Sequence, residues 1–131
     1  MSVGSRNRFG HPDPRTIAAM AGAGDLAAAA DAYAGAVRLR PDFADARVNY
    51  GGVLAQLGRT AEAVRELNEA LRLDPGAADV HNNLGSLLAG SGRLPEARAQ
   101  FEEALRLRPD YRDARENLER LRALEQPEGG R

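Results

Sequence analysis

Three asparagines, Asn49, Asn83 and Asn117, stand 34 residues apart. A side-chain amide carries both a donor and an acceptor. A column of such amides suits the N–H and C=O groups of an extended peptide and would hold it without reading its side chains. Three aspartates, Asp45, Asp79 and Asp113, repeat at the same interval. If they meet a ligand, they favour a basic or neutral one. At the start of a helix they would instead complement its dipole and cap free N–H groups. Neither column makes or breaks a bond.

Bond-making chemistry is thinly supplied. The chain has no Cys, which removes thiol nucleophiles, iron–sulfur clusters and disulfides. All 18 basic residues are Arg, so a Schiff-base lysine, a P-loop lysine and a Ser–Lys dyad are absent. With two His, a transition-metal site is not expected. His81 has no Ser or second His at a useful spacing, and a ring packed between helices is the expectation for it. His11 lies in a leading loop with no evident role. The stretch Ala21-Gly22-Ala23-Gly24 follows no strand, so it is not read as a phosphate loop. The chain is therefore expected not to be an enzyme and to need no cofactor or metal.

The net charge of −1 draws the protein neither to nucleic acid nor to an anionic membrane. The apolar run Ile17–Ala23 is short and weak for a signal peptide. No window approaches the roughly 20 apolar residues of a membrane span. A soluble cytoplasmic protein is expected.

Positioning the two columns requires a repeating scaffold. The composition is rich in Ala and Leu, only 5% aromatic and poor in β-branched residues, which favours helices. Pro41, Pro75 and Pro109 end three similar segments at intervals of 34 residues. Gly24, Gly58 and Gly92 share a column, as do Ala29, Ala63 and Ala97, and Ala36, Ala70 and Ala104. Tyr33, Leu67 and Phe101 form another, and Gly51 aligns with Gly85. Each unit reads as two helices. In the second unit Ala44–Leu57 stops at Gly58, and the next helix begins with Thr60 as its cap. In the third, Ala78–Ala89 and Pro95–Leu107 flank a Gly90-Ser91-Gly92 turn. Gly51 and Gly85 belong where two helices approach closely, with Leu67 and Phe101 filling the space between layers. Arg and Glu along the second helices, among them Arg72, Arg106, Glu66, Glu69 and Glu103, read as a solvated outer face. The run Ala27–Ala30 has no role in this scheme.

The period and the residues His81, Leu84, Gly85, Leu88, Ala97, Phe101, Ala104 and Pro109 resemble the tetratricopeptide repeat. So do Arg47, Tyr50, Gly51, Leu54, Ala63, Leu67, Ala70 and Pro75. The resemblance implies an all-α, right-handed superhelical solenoid of antiparallel helix pairs. We expect a leader over 1–9 and one domain over 10–125. That domain comprises repeats 10–43, 44–77 and 78–111 and a capping helix 112–125, followed by a tail over 126–131. The first repeat is degenerate: its first helix, about Pro14–Ala21, has Ile17 in the glycine column and Asp13 in that of the large residue. In the last helix Glu119 replaces the glycine, and a polar outer face marks a cap.

In the family this chain resembles, first helices line a concave groove where peptides bind. The residues so implied are Asp45, Asn49, Gly52 and Gln56, then Asp79, Asn82, Asn83, Ser86 and Ala89, then Asp113, Asn117 and Arg120. Arg15 and Ala18 precede them. Layers stack at roughly 8–10 Å and an extended chain advances about 3.3 Å per residue, so one Asn would meet every third peptide residue. A similar asparagine ladder occurs in the repeats of O-linked N-acetylglucosamine transferases, which the third unit resembles. The carboxylate clamp of chaperone-binding repeats is disfavoured, because Pro14, Ala18, Asp79 and Asn83 stand where it needs Lys, Arg or Asn; only Asn49 fits. The expected function is a non-catalytic scaffold that holds an extended peptide or helix of a protein partner. The alternatives are an accessory segment of a glycosyltransferase-type system, or a structural adaptor that self-associates. A monomer or weak homodimer is expected.

Overall fold

A computed structural model describes residues 25–125. The expected leader, the helix about Pro14–Ala21 with Arg15 and Ala18, His11 and the tail 126–131 lie outside them. The described residues form six helices and no strand: α1 Leu26–Leu39, α2 Ala44–Gln56, α3 Thr60–Leu73, α4 Ala78–Gly90, α5 Leu94–Leu107 and α6 Arg112–Glu125. The fold is an all-α helical repeat. The chain divides into two compact units, 1–73 and 74–131, at the loop between α3 and α4.

In the first unit α1 begins at Asp25, whose Oδ1 accepts the Ala28 N–H at 3.2 Å. Ala29, Ala30 and Tyr33 of α1 meet Val53 of α2 in a buried cluster, bordered by Leu26, Ala32, Tyr50 and Leu57. Two members of the Ala27–Ala30 run thus gain a packing role, since small residues let α1 lie close to α2. Burial raises the Tyr33 phenol above its ordinary value. Helix α2 packs on α3 through Gly51, where a methyl group would stand 3.0 Å from Leu67 Cδ2 and Cγ. Thr60 is the first residue of α3 and not its cap. The preceding carbonyl, of Arg59, receives the Ala63 N–H at 3.0 Å.

The second unit repeats the plan more tightly. A methyl group on Gly85 of α4 would fall 2.6 Å from Phe101 Cε1 and 2.8 Å from Cδ1 on α5. Phe101 is 2% exposed, and its ring would have to shift to admit that methyl group. Helix α6 covers α5 with Ala114, Leu118 and Leu121 buried. The turns between α2 and α3 and between α4 and α5 each contain a glycine with positive φ, +80° at Gly58 and +81° at Gly92. There the chain closes bonds from Arg59 N to Leu54 O at 2.8 Å and from Arg93 N to Leu88 O at 3.0 Å. This is the six-residue closure that satisfies a helix's last carbonyls.

A second recurrent contact ties each first helix to its surroundings. Arg47 Nε donates to Pro41 O at 2.9 Å, His81 Nε2 lies 3.1 Å from Pro75 O, and Arg115 Nη2 donates to Pro109 O at 2.8 Å. Arg47 also pairs with Glu66 of α3 at 2.8 Å, and His81 Nδ1 meets Gln100 Oε1 of α5 at 2.7 Å. Each of these two contacts spans 19 residues, so one column latches a loop carbonyl and the partner helix together. His81 is spent in this latch. Glu66 leaves the expected solvated face, because its pair with Arg47 is largely buried.

The acid–base pairs close in sequence follow the exposed face: Arg59–Glu62, Arg72–Glu69, Arg93–Glu96 and Arg106–Glu103 are all three residues apart. The guanidinium hydrogen bond holds each of these four carboxyls below its usual value of 4.5. A lowered carboxyl stabilises the fold above its unfolded pKa and loses that contribution as pH falls through the folded value. The melting temperature should therefore drop on acidification below about pH 4.5. Raising the salt to about 1 M should flatten the drop through screening. A melting temperature constant down to about pH 2 would show that the pairs contribute nothing.

Gly85→Ala should destabilise more than Gly51→Ala. Overpacking costs about 1–3 kcal/mol where the neighbour is fixed, against a gain of about 1 kcal/mol in helix propensity. The methyl group would overlap the Phe101 ring more deeply than it would Leu67, which has to give by only a few tenths of an ångström. Denaturant midpoints of the two variants check the order.

Candidate functional site

The first helices of the repeats carry the implied groove residues. In the second unit α4 and α6 lie side by side, and their facing polar residues join. Asn117 Nδ2 of α6 donates to Asn82 Oδ1 of α4 at 3.0 Å and approaches Ser86 Oγ at 3.5 Å. Asn117 Oδ1 accepts from Arg120 Nη1 at 3.0 Å. Asn82 Nδ2 points to the Tyr111 hydroxyl at 3.5 Å. The Tyr111 ring in turn stacks under Arg108, whose guanidinium carbon is 3.8 Å from the ring centroid. Four of the implied residues, Asn82, Ser86, Asn117 and Arg120, thus form one network.

Their availability differs. Asn82 is 7% exposed, the buried polar residue of this core, and its amide is committed inside the unit. Asn117 is half-buried with both its amide groups engaged. Asn83 is exposed and forms no side-chain hydrogen bond among the described residues. The three-asparagine column is therefore not uniform: one member is bound into the scaffold and another is open. Asp79 is exposed in the first turn of α4, where its Oδ1 accepts the Val80 N–H at 3.0 Å. Asp113 occupies the first turn of α6.

Beside the network is a cavity of about 140 Å³. Phe101, Leu121 and Leu124 give it apolar walls, while Ser86, Asn117 and Arg120 form its polar rim. Leu124 is 60% exposed.

The first unit holds the other implied residues on α2. Asn49 is half-buried without a side-chain hydrogen bond among the described residues, and Asp45 and Gln56 are exposed. Asp45 lies in the first turn. Gly52 faces open space. Among the described residues no cluster of His, Asp and Glu is arranged to hold a metal, and no helix is long and apolar enough to cross a membrane.

The repeat pattern singles out Phe101 but not Tyr111 or the cavity walls Leu121 and Leu124. A period of 34 residues aligns Asn117 with Asn83, whereas the real contact is with Asn82, 35 residues away. The neighbour across two helices is set by their packing and is offset from the repeat period.

A profile described as tetratricopeptide repeat matches residues 21–78 and 56–111, together more than half of the chain. The chain belongs to the tetratricopeptide-repeat family. Solved structures of other repeat proteins resemble it. An O-GlcNAc transferase mutant from Thermobaculum terrenum is 31% identical, with a TM-score of 0.73 over 80% of this chain. The tetratricopeptide-repeat chain spans only 20% of that transferase. YrrB, described as having an unusual peptide-binding site, is 25% identical with a TM-score of 0.74, over 77% of this chain and 52% of its own. The first repeat domain of Spaghetti, bound to an HSP90 peptide, shares the fold at 21% identity. Its TM-score is 0.80, over 85% of this chain and 89% of its own. No curated protein matches the chain.

Replacing Asn117 alone by Ala would leave the buried Asn82 oxygen without its donor, at a cost of about 1–3 kcal/mol. Removing both amides, as Asn82→Leu with Asn117→Leu, should cost less than the two single changes added together. A double-mutant cycle by urea denaturation measures the coupling. Additive effects would show that the amide pair carries no energy.

Proposed function

We propose that this tetratricopeptide-repeat protein is a non-catalytic interaction module that holds an extended peptide of a protein partner along its first helices. The observation that carries this reading is the open state of the Asn83 amide. An exposed amide without a partner among the described residues, on a helix that also borders a small cavity, offers donor and acceptor to a peptide main chain. Asn49 occupies the equivalent position on α2 and likewise makes no side-chain hydrogen bond among the described residues. The peptide-bound state of the Spaghetti domain and the peptide site named for YrrB support the same use of this fold.

The identity to the Thermobaculum terrenum transferase favours a second reading, in which the chain is an accessory repeat segment serving a glycosyltransferase-type partner. Stimulation of such an enzyme by the added chain would distinguish it from a free-standing adaptor.

The test uses peptides selected from a displayed random library on the full chain and then synthesised. The combined change Asn49→Ala and Asn83→Ala should weaken them about thirtyfold in fluorescence anisotropy, since two hydrogen bonds of about 1 kcal/mol each are lost. Far-UV circular dichroism should stay unchanged, because neither amide supports the fold. Undiminished affinity would remove the asparagines from the mechanism.

A further inference from the structure

We infer that the cavity between α4 and α6 receives one aliphatic side chain of an extended peptide while Arg120 holds an Asp or Glu side chain next to it. This deepens the peptide-binding reading and rests on it. The cavity volume of about 140 Å³ is well below the roughly 300–1,000 Å³ of sites for drug-sized ligands, so it admits a single side chain. Its walls, Phe101, Leu121 and Leu124, offer that side chain an apolar surface. Leu124, at 60% exposure, is the part of the wall that an incoming group would cover.

The charge partner follows from how the unit uses its arginines. Arg93, Arg98 and Arg106 each hold a glutamate, Arg115 holds the Pro109 carbonyl and Arg108 lies over the Tyr111 ring. Arg112, Arg120 and Arg122 hold no carboxylate among the described residues, and of these three Arg120 lines the cavity. Arg120, at the cavity rim, has no carboxylate within ion-pair distance among the described residues, and donates one N–H to the neutral Asn117 oxygen. That bond orients the guanidinium, and its other donors remain for a carboxylate, which the planar fork can grip with two parallel bonds. Glu116 and Glu119 are exposed on the same helix, and Asp79 and Asp113 are exposed in the first turns of α4 and α6. Their charge opposes an acidic run, so the ligand carries a single acid beside its aliphatic residue. The open Asn83 amide on α4 gives the peptide main chain a contact beyond the cavity, which favours an internal segment over a chain end.

The experiment selects peptides on the full chain from a displayed random library whose members are blocked at both ends. Enriched sequences should carry Leu, Ile, Val or Met with Asp or Glu within two positions. Against the Arg120→Glu variant, the preferred charge should reverse to Lys or Arg. A synthetic peptide from the wild-type selection should bind that variant at least about tenfold more weakly, and exchanging its acid for Lys should restore affinity. The Leu124 methyl resonances should shift on binding. Arg120 is exposed, so unchanged circular dichroism confirms that the variant is folded. Enriched peptides that show no acid preference, yet lose affinity with Asn49→Ala and Asn83→Ala, would overturn the assignment of Arg120 and leave the groove reading standing. An acid preference that survives Arg120→Glu would also overturn it. Ligands found only in a library with free C-termini would do the same, by assigning the carboxylate to a chain end. A selection that yields no binder from either library would overturn the groove reading and this inference together.

Discussion

The distance between paired helices is the constraint on which the rest of the structure depends. It is set by a glycine on one helix facing a large side chain on the next. At Gly85 the Phe101 ring occupies the volume that a methyl group would need, and at Gly51 the Leu67 side chain does so less tightly. Because α4 lies this close to α5, the edge of Phe101 reaches the cavity on the α4–α6 side. The same residue that spaces the pair therefore forms part of the surface offered to a ligand.

The latch column complements that spacing. Glycine and ring fix how near two helices come but leave sliding and rotation to other contacts. Arg47, His81 and Arg115 each hold the carbonyl of a proline six residues back, and the first two also reach the partner helix. Arg and His are interchangeable here because the position needs a polar side chain long enough to bridge loop and helix. The chemistry that makes histidine notable in a catalytic site is not used.

The polar face of the second unit follows a different rule. A buried amide without partners is costly, so Asn82 requires Asn117 and Tyr111. Satisfying Asn82 engages Asn117 and, through it, orients Arg120. Asn83, one position along α4, turns outward and stays open. Of two adjacent asparagines, one thus holds the scaffold and the other offers a contact.

Much of this was legible in the chain. The helices α2, α4 and α5 fall within a residue or so of their expected bounds, because apolar stripes, turn glycines and prolines act locally. The tight positions Gly51 and Gly85 and the fillers Leu67 and Phe101 could be read from a period of 34 residues, since equivalent layers pose the same packing problem. Tertiary structure alone decided the partners. Asn117 meets Asn82 and Ser86 at separations of 35 and 31 residues, and Arg47 meets Glu66 at 19. These separations express how helices cross, which no single segment encodes. Hence the sequence determined the repeat and its close contacts, while only the packed helices decided which amides are spent, which stay open and where the cavity lies.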